Sequence, residues 1–104
     1  MTDHQLYKEK VKAQLEEWEA EMEKMKAQAR QEDINRRLDQ DKRLQELQIK
    51  MSKGRKKLEE MEGSGSEAWG TLKEGMEKAM DDLRMAFKEA WSKFKKPNSG
   101  NSPD

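Results

Sequence analysis

The chain has 104 residues, with 22 basic and 22 acidic side chains, no cysteine, one histidine and two prolines. That length admits one domain. With 42% of residues charged and Leu, Ile, Val and Phe supplying only 13, the composition falls short of an ordinary globular core with a buried catalytic pocket. Zero net charge removes any global electrostatic case for nucleic acid, and the lack of cysteine excludes disulfides and thiolate chemistry and fits a reducing cytoplasm.

Ala, Glu, Lys, Leu and Arg fill about half the chain, the mark of long helices or a coiled coil when helical periodicity accompanies it. No apolar run approaches the ~18 residues of a membrane span. The opening Met1-Thr2-Asp3-His4-Gln5 lacks the basic-then-apolar order of a secretory signal.

Residues 1–62 are expected as a long charged helix with a frayed N-terminus. Its apolar stripe begins with Tyr7, Val11, Leu15, Trp18 and Met22, thins after Met25 and Ala29, and continues through Ile34 and Leu38. Leu44, Leu47, Met51, Leu58 and Met61 resume it in a shifted phase, with Gly54 at an inward position. A stutter in an unbroken helix absorbs such a slip; a turn near Asp33-Ile34-Asn35 does so equally, although no Gly or Pro supports one.

Gly63-Ser64-Gly65-Ser66 reads as a turn over 63–66, with Ser66 as the next N-cap. An amphipathic helix over 67–96 follows. Its bulky residues Trp69, Leu72, Met76, Met80, Leu83, Phe87, Trp91 and Phe94 form an 11-residue repeat, which keeps a stripe nearly straight. Ala68, Ala79, Ala86 and Ala90 make a small-residue flank. Residues 97–104 hold no apolar side chain and are expected as a disordered tail.

The resulting fold class is all-α: an antiparallel helical hairpin or coiled coil of long helix, Gly/Ser turn and shorter helix, or a three-helix bundle if the long helix breaks near 33–35. Residues 1–33 carry net charge −3 and residues 34–62 net +3, and the acidic run from Glu16 to Glu23 and the basic run from Lys50 to Lys57 are symmetric about residue 36. Folding there, or an antiparallel dimer crossing there, sets the two runs opposite each other. In the hairpin, the shorter helix covers only half of the longer one. Trp18 and Met22 then need a second chain, so a homo-oligomer, with a dimer favoured, is the expected partner, beside an unidentified protein.

Catalytic candidates are missing. His4 stands alone, without a second His or Cys to complete a metal set or a nucleophile–base pair. The glycines at 63–65 and at 70 and 75 lack the Lys-Ser/Thr of a phosphate loop. No catalytic, metal-binding or cofactor-binding residue is assigned, and no cofactor is expected. The basic run at 50–57 has no interleaved aromatics and reads as a solvated face rather than a nucleic-acid contact. Lys73, Arg84, Lys93 and Lys95 border the final stripe, which leaves reversible lipid-surface binding through that helix as the alternative function.

Leu15-Glu16-Glu17-Trp18-Glu19, then Ser64-Gly65-Ser66-Glu67-Ala68-Trp69-Gly70-Thr71-Leu72-Lys73-Glu74-Gly75, and the final Ala79, Leu83, Phe87, Ala90, Ser92 and Phe94 carry a resemblance. In these stretches the chain resembles the small bacterial coiled-coil stress-response proteins first described in cyanobacteria. The resemblance implies a helical hairpin, a stress-linked role and no catalytic residues. The expected function is that of a non-enzymatic, cytoplasmic structural or protein-interaction protein. Its packing or interaction face comprises Trp18, Met22, Trp69, Leu72, Met76, Met80, Leu83, Phe87, Trp91 and Phe94.

Overall fold

The computed structural model describes residues 2–99. Helix α1 spans Asp3–Arg30 and starts at a capping box: Thr2 Oγ1 accepts the Gln5 backbone N–H at 3.2 Å, and Gln5 Oε1 accepts that of Thr2 at 3.1 Å. Two donors otherwise orphaned at a helix start are thereby satisfied, so the N-terminal end is capped where fraying was expected. His4 lies within this first turn.

The long helix expected over 1–62 is interrupted at residues 31–33. Asp33, in extended conformation, caps a second helix, α2, over Ile34–Glu62, its carboxylate accepting the Arg36 backbone N–H at 3.1 Å. An Asp N-cap replaces intrahelical partners directly, which is why the break needs neither Gly nor Pro. It also resets the helical phase. Ile34 and Leu38, expected to continue the inward stripe, are 66% and 62% exposed, and the buried row of α2 begins at Gln40.

The second break falls where the Gly/Ser run places it. Gly63 caps α2 and donates its backbone N–H to Glu59 O, and the Ser64 hydroxyl donates to Met61 O at 3.0 Å. A single 3-10 turn over Ser66–Ala68 leads into α3, Trp69–Ser99. Among the described residues none has positive φ, so the turn closes without the left-handed backbone that glycine alone adopts easily. The tail expected over 97–104 is helical through Ser99; residues 100–104 lie outside the described residues.

The helices hold 28, 29 and 31 residues, ~42–47 Å each at helical rise, and match the 50 Å long axis of the molecule. Pairs between α1 and α3 keep a near-constant separation in sequence, as in His4–Trp69, Trp18–Phe87 and Glu21–Trp91, so these two helices run parallel. Between α2 and α3 the order reverses: Lys50 meets Asp82 and Lys57 meets Gly75. The molecule is an up-down-up bundle of three helices, all of which touch one another. The fold-back about residue 36 brings acidic α1 against basic α2, joined by the Arg55–Glu19 ion pair with Arg55 Nε 2.6 Å from Glu19 Oε2.

Each helix buries a row with alternating spacings of four and three. In α1 the row is Val11, Leu15, Trp18, Met22, Met25 and Ala29; in α3 it is Met76, Met80, Leu83, Phe87, Ala90 and Phe94. In α2 it runs Gln40, Leu44, Leu47, Met51, Gly54, Leu58 and Met61. All three follow a seven-residue repeat, the period of left-handed winding, in place of the 11-residue repeat expected for the last helix. The two periods part at Ala90 and Trp91. Ala90 enters the seam, while the Trp91 indole stays on its flank and donates Nε1–H to Glu21 Oε1 at 2.5 Å. A buried indole needs such an acceptor, and the flank supplies one.

Gly54 is the fifth of the seven residues in the α2 row. A Cβ there would stand 3.2 Å from Leu83 Cδ1 and 3.4 Å from Leu15 Cδ2. The missing side chain lets α1 and α3 both close on α2 at one level, where Trp18 and Phe87 stack above them with ring centroids 5.4 Å apart and planes 9° from parallel.

Candidate interaction surface

The ten residues read as a packing or interaction face all pack within the bundle. Trp18, Met22, Met76, Met80, Leu83, Phe87 and Phe94 are buried, and Trp69, Leu72 and Trp91 are partly buried against them. Trp18 and Met22, which called for a second chain in the hairpin, are covered by the chain's own α2 and α3. Self-association therefore no longer follows from an open core face, and any partner must use the outside of the bundle.

Two outside features were not singled out in the sequence. One is an aromatic cluster that locks the start of α1 to the start of α3. His4 stacks on Trp69 at 3.9 Å between ring centroids, Tyr7 meets the same indole edge-on at 5.6 Å, and Lys73 Nζ lies 5.2 Å from the Tyr7 ring centre. Burial pushes the Tyr7 phenol above its ordinary pKa, and the carboxylates of Glu77 and Asp81 push it the same way. A phenol so placed holds its proton and supplies no base.

The second feature is the groove between α2 and α3. Lys50 and Lys57 stand seven residues apart on its α2 wall, and Asp82 and Gly75 stand seven apart on its α3 wall. Lys50 Nζ pairs with Asp82 Oδ2 at 2.8 Å. One heptad along, the same register sets Lys57 opposite a glycine: Lys57 Nζ lies 3.7 Å from where a Gly75 Cβ would be. A cation row thus runs past the end of its acidic counterpart. Lys53 and Lys78 line the same stretch, a hollow of about 520 Å³ with Ile49 and Ala79 as its apolar part. Towards the other end the lining is mixed in charge, with Glu46, Asp82 and Glu89 beside Arg43 and Lys50, and Met85 joins it.

Ile49 is 58% and Met85 71% exposed, large apolar side chains beside the small Ala79 and Ala86. Both lie outside the seven-residue seams; numbering the helices by heptads, rather than by bulky residues alone, would have placed them on the outer faces. The groove combines apolar relief with Lys53, Lys57 and Lys78, which form no ion pair among the described residues, although Glu46 and Asp82 line the same hollow. Chemically it offers binding of a carboxylate-bearing, partly apolar surface.

Among the described residues no three His, Cys, Asp or Glu side chains gather as a metal set, and no helix is long and apolar enough to cross a membrane. No protein-family model, curated protein or solved structure matches the chain.

Proposed function

We propose that the chain is a non-enzymatic interaction protein that receives acidic amphipathic helices in the groove between α2 and α3. The observation that carries this reading is the juxtaposition of Lys53, Lys57 and Lys78 with exposed Ile49 beside Gly75 and Ala79. An amphipathic helix laid in a groove buries its apolar residues there while its flanking charges set orientation. The stress-linked, cytoplasmic setting implied by the family resemblance belongs to the same proposal. It suits a small helical adaptor without a catalytic centre.

The test is a titration with a synthetic amphipathic helical peptide of unrelated sequence, carrying Glu beside an Ala/Leu face, followed by backbone amide NMR. Saturable shifts centred on Ile49, Lys57 and Gly75, lost in a Lys53→Glu/Lys57→Glu/Lys78→Glu variant, are expected. Absence of saturable shifts at low salt overturns the reading. Vesicles of anionic phospholipid form the comparison: the lipid alternative needs the apolar face of α3 to leave the core, so it predicts loss of tertiary structure on binding, whereas groove binding leaves the bundle intact.

A further inference from the structure

The break between α1 and α2 departs little from a continuous helix. Asp33 has φ −68°, a helical value, and only its ψ of 169° is extended; Gln31 lies in the right-handed helical region. Neither glycine nor proline occurs over residues 30–37. Arg36 Nε reaches back across the break to Glu32 Oε1 at 3.4 Å, the i,i+4 pairing of an unbroken helix. Ala29 closes the buried row of α1 and Gln40 opens that of α2. These positions are 11 residues apart, three turns, so in a straight helix the two rows share one face to within about 20°. What seats α1 is a set of side-chain contacts: the Trp18–Phe87 stack, the Glu19–Arg55 ion pair and the hydrogen bond that the Trp91 indole donates to Glu21. None of these requires α1 to belong to the same chain as α2 and α3.

We infer that the seat of α1 also accepts α1 of a second copy, by exchange. Residues 31–33 turn helical, residues 3–62 become one helix about 90 Å long, and two such helices cross antiparallel, each laying α1 on α2 and α3 of the other chain. The bundle already sets the register. Leu15 stands beside Gly54 and Glu19 pairs with Arg55, which centres the antiparallel pairing between residues 34 and 37. Spacings of four, three and four carry the inward row from Ala29 through Asp33 and Arg36 to Gln40. At the crossing, Asp33 of each copy therefore meets Arg36 of the other, and opposite charges close the join. The register of Lys50 with Asp82 and Lys57 with Gly75 brings Ser99 level with Asp33, short of the midpoint, so the two copies of α3 do not overlap as far as Ser99. Helices α2 and α3 stay paired within each chain, so the inference does not rest on the proposed groove and leaves it unchanged. Exchange keeps the seam contacts and gives up the Asp33 cap. A tethered α1 has the advantage when chains are dilute, so the bundle is the form of the dilute chain and the exchanged dimer that of the concentrated one.

The experiment refolds the full chain from urea at micromolar and at millimolar concentration and measures mass by light-scattering chromatography. The micromolar sample is expected at 12.3 kDa, and the millimolar sample with an added peak at twice that mass. Ile34→Pro separates the two forms. Ile34 is the exposed first residue of α2, where a helix leaves its N–H unbonded, and extended Asp33 is what a following proline demands; in a continuous helix the same ring clashes with the Arg30 carbonyl. This variant is expected to keep its helical circular dichroism and to stay monomeric at both concentrations. Asp33→Glu retains the charge for the crossing but loses the short capping side chain, so its dimer fraction is expected to rise severalfold. Nitroxide-labelled Glu9→Cys chains refolded together with labelled Glu74→Cys chains report the exchange itself: in the isolated dimer, labels on different chains are expected at the short spacing of neighbouring helices. A wild type that gives only the 12.3 kDa peak after millimolar refolding overturns the inference. So does a dimer that Ile34→Pro forms as readily, or one whose labels on different chains stand far apart. Should Ile34→Pro fail to fold, Asp33→Glu and the mixed labels decide.

Discussion

Removing the aromatic stack between Trp18 and Phe87 tests the bundle at the contact that a two-helix hairpin lacks. Both rings are buried and nearly parallel, 5.4 Å apart, on helices α1 and α3. Phe87→Ala deletes a large buried side chain from a seam with little room to collapse and is expected to cost ~3–5 kcal/mol. A domain of this length holds ~5–15 kcal/mol in all, so the loss is a large share of its stability. Trp18→Ala is expected to cost a similar amount, but the two losses do not add. With either ring gone the other has no stacking partner, so the double variant falls short of the sum by ~0.5–1.5 kcal/mol. Urea unfolding followed by circular dichroism measures all four corners of the cycle, provided the denaturant slope stays constant. Were the long helix unbroken, α3 would cover only residues near 32–62 and Trp18 would never meet Phe87. Strict additivity, or a Phe87→Ala loss below ~1 kcal/mol, refutes the stated packing.

Gln40 is the one polar residue in the buried rows, 4% exposed, with Oε1 lacking a hydrogen-bond partner. Gln40→Leu is expected to raise the stability measured by urea unfolding by ~1–3 kcal/mol, the cost of an unsatisfied buried polar atom. At Gly54 the helix-propensity gain of Ala, ~1 kcal/mol, works against a Cβ that Leu83 and Leu15 must yield to by tenths of an ångström, so Gly54→Ala is expected to leave the melting temperature nearly unchanged. Gly54→Leu has no such room and is expected to cost at least ~1–3 kcal/mol by overpacking. The Tyr7 pKa is raised in the fold, so the folded state holds that proton more tightly than the unfolded chain. This contribution is complete below the ordinary phenol value of 10.0 and is lost as pH rises through the folded value. Thermal melts at alkaline pH should therefore show a decline in stability that is shallower in Tyr7→Phe.

Much of the architecture is legible in the residues because helical periodicity is a strong signal in a chain this charged. The Gly63–Ser66 turn and the burial of Leu83, Phe87 and Phe94 follow directly from it. The symmetry of acidic and basic runs about residue 36 also has its structural counterpart in the Glu19–Arg55 pair. That symmetry alone leaves a fold-back and an antiparallel dimer equally satisfied, and the choice turns on residues 31–33. An Asp cap is weak in sequence, since aspartate serves equally well on a solvated helix surface, and its selection at Asp33 comes from the core that the fold-back closes. The seven-residue repeat was hidden for a related reason. Bulky residues define an 11-residue stripe in α3, but the seam uses Ala90 where close packing favours a small side chain. The groove was the least legible feature. It depends on which lysine faces which carboxylate across two helices, and the surplus at Lys57 appears only once Gly75 is seen opposite it.

The claim that one chain closes its own core, leaving its outer faces for partners, is tested most directly by a distance between α1 and α3. The absence of native cysteine permits clean double labelling of Glu9→Cys/Glu74→Cys with nitroxides, diluted with unlabelled protein so that only distances within one chain register. In the three-helix bundle these positions sit side by side, and electron–electron dipolar spectroscopy should give a narrow distribution at about 10–25 Å, the interaxial spacing of 8–10 Å widened by the label linkers. In a hairpin with an unbroken long helix, residue 74 lies beside residue 58, and the same labels stand ~70 Å apart along the helix axis. A short distance is the result the bundle requires; a distribution centred near the long one contradicts it.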